Sequence, residues 1–226
     1  MAIADCGSKR NCVLASVIRV VQSAFRNPLL ACLIAVFLAC GAVRAAEPAE
    51  AVTGGKSGAI DPGLKLADLS GKVHALAEWQ GSPIVLVFLA TECPVSNGYV
   101  PELQRLADQY ASAGVAFLGV HSDPALKAED AARHASEYAI KFPVLLDPEQ
   151  RLAEAVNASV TPQAIVLTGD GAVVYRGAID DRYSTTGKRR IEPRVRYLQN
   201  ATDAVLQSRE VSPAETKPFG CPLPRK

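Results

Sequence analysis

The sequence predicts an α/β fold, a mixed central β-sheet flanked by helices, and three observations predict it. The apolar runs PIVLVFLA at 83–90 and VAFLGV at 115–120 are continuous, as in strands buried on both faces of a parallel sheet. Stretches of helical period follow each run. Further on, QAIVL and AVVYR flank the turn Gly169-Asp170-Gly171, which reads as an antiparallel hairpin.

In chain order, the strand at 83–90 leads into a helix from about Val95 to Ala111, then the strand at 115–120. Right-handed crossover makes these two strands parallel neighbours. A helix from Ala125 to Tyr138 comes next, then the apolar FPVLLD at 142–147 and a short helix over Glu149–Val156. After the hairpin, Val195, Leu198 and Val205 sit at one-face spacing and predict a last helix following Pro193. The folded domain therefore runs over 59–210. Residues 211–226 carry Pro213, Pro218, Pro222 and Pro224, so this tail is expected to be extended.

The start of the chain has a different character. Lys9, Arg10, Arg19 and Arg26 stand against one acid, Asp5, ahead of the uncharged run LLACLIAVFLACGAV at 29–43. As a helix that run rises only about 22 Å, short of the roughly 20 residues that span a bilayer, which favours the core of a signal peptide over an anchor. Val43-Arg44-Ala45 supplies small residues where a signal peptidase reads, so residues 1–45 are expected to be a signal peptide and 46–58 a flexible spacer. The competing reading is a lipoprotein acylated on Cys40, although Phe37 and Leu38 fit that pattern poorly. Either way the destination is periplasmic or otherwise extracytoplasmic.

Without its first 45 residues the chain keeps 19 of 24 basic and 22 of 23 acidic residues, a formal charge of −3. A faintly acidic body without a basic stripe excludes a nucleic-acid partner. Of six cysteines only Cys93 and Cys221 stay with the body, so this is no disulfide scaffold. The expected contact with membrane is through the signal segment or a lipid on Cys40 alone.

The stretch ATECPVSNGY at 90–99 carries the most chemistry. It puts Cys93 where a buried strand gives way to a helix, and the unpaired N–H groups and dipole of a helix N-terminus favour the nucleophilic thiolate. Pro94 falls in the first turn, where its missing N–H costs nothing. Ser96 lies on the same helix face and is placed to donate a hydrogen bond to the sulfur. The bland reading of Cys93 is a small buried apolar residue. Cys221, in Phe219-Gly220-Cys221-Pro222, has little core to pack into. Redox partnership, a structural bridge to Cys93 and no special role all remain open for it. His121 ends a parallel strand, where α/β sheets place their sites, but its expected environment is a solvated loop. His74 and His134 are assigned nothing, and the acids of Gly177–Tyr183 read equally well as a self-paired turn.

These residues resemble the thioredoxin-like superfamily, and more narrowly the peroxiredoxin-like redoxins of the AhpC/TSA group, over about residues 58–210. Cys93 matches the first cysteine of the thioredoxin Cys-x-x-Cys, with Ser96 at the place of the second and Pro101 at the spacing of the helix-kinking proline. Thr161-Pro162 matches the loop that carries a cis-proline against the active site. The resemblance implies a thioredoxin-like fold and thiol redox chemistry. Two departures qualify it. The peroxide-reducing cysteine of peroxiredoxins would stand at Ser96, and their threonine at Cys93, so a standard peroxidase cycle is not expected. Ser96 equally blocks a Cys-x-x-Cys disulfide.

The expected function is thus that of an exported thiol oxidoreductase, an antioxidant-type redoxin without a cofactor. It would act through Cys93 on a thiol or disulfide protein, or on a small oxidised thiol. Ser96, Thr161 and Pro162 would complete the site, and Cys221 or an external thiol would resolve the mixed disulfide. The alternative is a binding module that holds a partner or a soft metal through Cys93. A methionine-based copper site is excluded, because Met1 is the chain's only methionine.

Overall fold

A computed structural model describes residues 59–183 and 189–225. The expected signal peptide, the spacer and Cys40 lie outside the described residues.

Among the described residues seven strands form one mixed sheet in the order β2-β1-β5-β4-β3-β7-β8. These are β1 (Lys65–Asp68), β2 (Val73–Ala75), β3 (Ile84–Leu89), β4 (Ala116–His121), β5 (Val144–Leu146), β7 (Gln163–Leu167) and β8 (Val173–Gly177). β6 (Val160–Thr161) belongs to a separate two-stranded pairing. β3 runs parallel to β4, and β4 to β5, while β7 and β8 close one edge antiparallel. Helices α1 (Pro94–Ala111), α2 (Ala128–Glu137), α3 (Arg151–Ala155) and α4 (Tyr197–Leu206) complete the set.

The pleat of β3 divides the core. Ile84, Leu86 and Phe88 pack on one face with Leu118, Ile165 and Leu152 of α3. Val85, Val87 and Leu89 face the other way, toward Leu103 and Leu106 of α1 and Leu198 and Ala201 of α4. Every residue of β3 is buried, which is why the run at 83–90 reads as continuously apolar.

Two elements differ from expectation. β1 and β2 pair as a hairpin at Lys65↔Ala75 and Ala67↔Val73, a segment in which the sequence shows no long alternation. Its turn is made by Asp68, whose carboxylate accepts from Ser70 and Lys72 N–H, and by Gly71 at φ +86°. The last helix begins at Tyr197, so Val195 lies ahead of it and is 37% exposed, whereas Leu198 is buried. Arg196 caps that helix without a side-chain bond, and packing of Leu198 and Ala201 sets its register in place of a capping residue.

Candidate active site

β3 ends at Leu89 and the chain turns through Thr91 and Glu92 to Cys93, the N-cap of α1, with Pro94 in the first turn. Cys93 is 1% exposed. Its sulfur accepts from the backbone N–H of Ser96 at 3.4 Å, and its S–H donates to the carbonyl of Thr161 at 3.3 Å. The sequence assigns the first of these bonds to the Ser96 hydroxyl. That hydroxyl instead accepts from Ala90 N–H at 3.2 Å, because an N-cap side chain is met by the amide three residues on, which leaves the serine free to brace the strand end. Thr161 is fully buried, and the peptide between it and Pro162 is cis.

The C-terminal tail reaches this site through two anchorages. At the first, Arg176 of β8 donates its N–H to Ala214 and accepts from Thr216, and its guanidinium pairs with Glu215 at 3.0 Å. Gly177 lets the chain pass: a Cβ there would collide with Thr216. At the second, β9 (Cys221–Pro222) pairs antiparallel with β6 in the register Thr161↔Cys221 and Val160↔Pro222. Leu223 N–H donates to Ser159 at 2.9 Å, Leu223 is buried, and the Gln150 amide donates to Pro224. A Cβ on Gly220 would fall on the Thr161 carbonyl, so only glycine admits so close an approach. Just before it, Phe219 stacks on Tyr183, whose ring lies 5.0 Å from that of Tyr99.

The register brings Cys221 to the cavity that Cys93 lines, and the two thiols are free, not joined as a disulfide. Burial, followed by the Cys93 side chain, pushes the Cys221 thiol up to about 11. Both cysteines line a cavity of about 200 Å³ with Leu89, Thr91, His121 and Pro222.

His121 corrects the expectation of a solvated loop. It is 2% exposed, with Nδ1 3.1 Å from the Leu89 carbonyl, because it is the last residue of a central strand and the tail covers it. Burial and then nearby His134 lower it to about 4, so it is neutral near pH 7. His134 is also buried, on a helix whose polar composition conceals the fact. Its Nε2 meets Asn97 Oδ1 at 2.8 Å, and the two imidazoles stand edge to face at 5.4 Å. On the opposite flank of α1, Tyr99 donates to buried Asp180 at 2.5 Å, and Arg182 binds the same carboxylate at 3.0 Å. The acids of Gly177–Tyr183 are thus tied across elements as well as within their own turn. Among the described residues no cluster of three or more His, Cys, Asp or Glu is placed to hold a metal ion.

A strand-to-helix thiol facing a cis-proline loop across a mixed sheet is thioredoxin-like architecture, and residues 58–176 match the family model described as AhpC/TSA. The chain belongs to the AhpC/TSA family. Among curated relatives of this redoxin is the thiol-disulfide oxidoreductase ResA of Geobacillus kaustophilus, 27% identical over 117 residues, or 51% of this chain and 66% of that one. The chain therefore spans just under two thirds of that relative's length. A hypothetical protein of Sinorhizobium meliloti shares the architecture at TM-score 0.64 and 26% identity, covering 74% of this chain and 91% of that one. An uncharacterized conserved protein of Geobacillus kaustophilus does so at TM-score 0.64 and 27% identity, over 76% and 94%.

Proposed function

We propose that this redoxin is an exported thiol-disulfide oxidoreductase in which Cys93 is the nucleophile and Cys221 its resolving partner. The observation that carries the reading is the β6–β9 pairing, which sets Cys221 against Thr161 and so against Cys93. The relationship to a thiol-disulfide oxidoreductase supports the same chemistry.

Cys93, as thiolate, attacks one sulfur of a substrate disulfide; the S–S bond breaks and the departing substrate sulfur takes up a proton. The Ser96 amide steadies the charge on Cys93 before attack. Thr161 and Pro162 offer backbone to the substrate chain once the tail yields that place. Cys221 then attacks the Cys93 sulfur of the mixed disulfide, releasing the second substrate thiol and leaving a Cys93–Cys221 bond. The sum is one substrate disulfide reduced to two thiols and one protein disulfide formed, which an external thiol reduces again.

A turnover assay tests this against the binding-module alternative. With an artificial disulfide and excess dithiol, the wild-type chain should turn over and Cys93→Ser should lose essentially all activity. Absence of turnover in the wild type would hand the site to the binding reading.

A further inference from the structure

The strip of backbone that holds the tail can hold a polypeptide of another protein, and the tail itself shows which side chains the strip tolerates. Cys221 and Pro222 run antiparallel to Thr161 and Val160. Leu223 N–H donates to the Ser159 carbonyl at 2.9 Å, and the Thr161 hydroxyl donates to the Cys221 carbonyl at 3.4 Å. Main-chain bonds of this kind fix a path whatever the sequence, so selectivity falls to the places where side chains meet the protein.

Two such places stand out. At Gly220 a Cβ would fall on the Thr161 carbonyl oxygen, and it would lie 2.7 Å from the carbonyl carbon and 3.0 Å from Pro162 Cδ. Gly220 is not in the left-handed region, so the glycine answers to the close approach and not to a turn. At Leu223 the side chain is buried and joins the core cluster of Leu152, Val156 and Ala158. Between the two, Cys221 lines the thiol cavity and Pro222 is exposed. This is the alternation of an extended strand whose every second side chain turns inward.

We propose that the polypeptides with which this redoxin exchanges disulfides present an extended Gly-Cys-x-apolar segment, whose cysteine takes the place of Cys221 opposite Thr161 while the tail stands aside. The proposal rests on the reading of Cys93 as nucleophile. Any side chain ahead of the reacting cysteine meets the Thr161 carbonyl, which is backbone and which also accepts from the Cys93 S–H. A charged residue two positions after the cysteine enters the apolar place of Leu223 without a partner. The residue between them is unread, as Pro222 is.

The chemistry follows the same path. Cys93, as thiolate, bonds to the sulfur of the segment's cysteine; the disulfide to that cysteine's former partner breaks, and the partner sulfur leaves with the electron pair and takes up a proton. The segment is then joined to Cys93 in the place the tail vacated. One path cannot hold two strands, so the return of Cys221 to attack Cys93 also evicts the segment as a thiol. The tail competes from within its own chain at an effective concentration on the order of millimolar, which makes covalent exchange a better readout than equilibrium binding.

The test uses three end-blocked pentapeptides, Phe-Gly-Cys-Pro-Leu, Phe-Val-Cys-Pro-Leu and Phe-Gly-Cys-Pro-Asp, each joined through its cysteine to 5-thio-2-nitrobenzoate. That group is the better leaving thiolate, so attack falls on the peptide sulfur and its release is followed by absorbance. The background given by Cys93→Ser is subtracted, and each rate is divided by that of the same peptide with free glutathione. On the wild-type chain the first peptide is expected to react at least about tenfold faster than the second and about fivefold faster than the third. Because the comparison is among peptides, it does not hang on a variant's folding. Normalised rates within twofold across the three would overturn the proposal, as would reaction of Cys93 with the symmetrical nitrobenzoate disulfide but with none of the peptides. No Cys93-dependent release from any of the four compounds would instead defeat the reading of Cys93 as nucleophile, and this proposal with it.

Discussion

At the scale of the residue, the site is a pair of bonds from backbone groups to one sulfur, and the neutral imidazole that lines the same cavity has a cost that pH exposes. His121 is held near 4 in the folded chain against about 6.5 when unfolded, so between those values the unfolded chain binds more protons. Stability that is fully present above pH 6.5 is therefore lost as pH falls toward 4, by an amount on the order of 3 kcal/mol. Denaturant melts at pH 7 and 4.5 should show this loss, and His121→Asn should show much less of it. Tyr99→Phe removes the donor to buried Asp180, leaving Arg182 as its remaining side-chain partner; a cost of about 1.5–3 kcal/mol is expected from urea denaturation. The place of Cys93 at a strand-to-helix junction was legible, but the bond that the Ser96 hydroxyl makes and the burial of His121 and His134 were not. His134 lies on a helix with Glu129, Asp130, Arg133 and Glu137, and nothing in that pattern reveals that Asn97 of another helix caps its ring.

The element that brings Cys221 to the cavity of Cys93 is the tail. Composition marks residues 211–226 as extended, but pairing with a two-residue strand ahead of Pro162 is long-range information that no local pattern holds. The clue in the sequence is Gly220, whose missing Cβ is what lets β9 lie against the Thr161 carbonyl. Gly220→Val should therefore lift Cys221 from the site without touching Cys93. Iodoacetamide should then label the 1%-exposed Cys93 at least tenfold faster than in wild type, and an unchanged rate would mean the tail is not what covers it. The same reasoning explains the hairpin β1–β2 and the true start of α4. Three- and four-residue strands and an uncapped helix take their bounds from Leu66, Leu198 and Ala201 packing on the sheet, whereas β3 and α1 declare themselves by unbroken apolar content and by Pro94.

For the whole molecule, a redoxin sheet carries a site that differs from both patterns it resembles: serine at the second cysteine of the thioredoxin motif, and a second thiol, 128 positions away along the chain, lining the same cavity. Hydrogen peroxide should accordingly consume Cys93 slowly, since the position that carries the peroxide-reducing cysteine is Ser96; stopped-flow mixing that gave a fast Cys93-dependent burst would contradict this. Export is expected to leave a mature chain beginning near Ala46, which N-terminal sequencing of protein from its own host checks. The central claim is that Cys93 and Cys221 are one redox couple. Mild oxidation followed by non-reducing peptide mapping, beside a Cys221→Ser control, tests it most directly: a 93–221 linked peptide that forms in the wild type and disappears with a small dithiol is the predicted result, and oxidised protein in which both cysteines stay unlinked would contradict it.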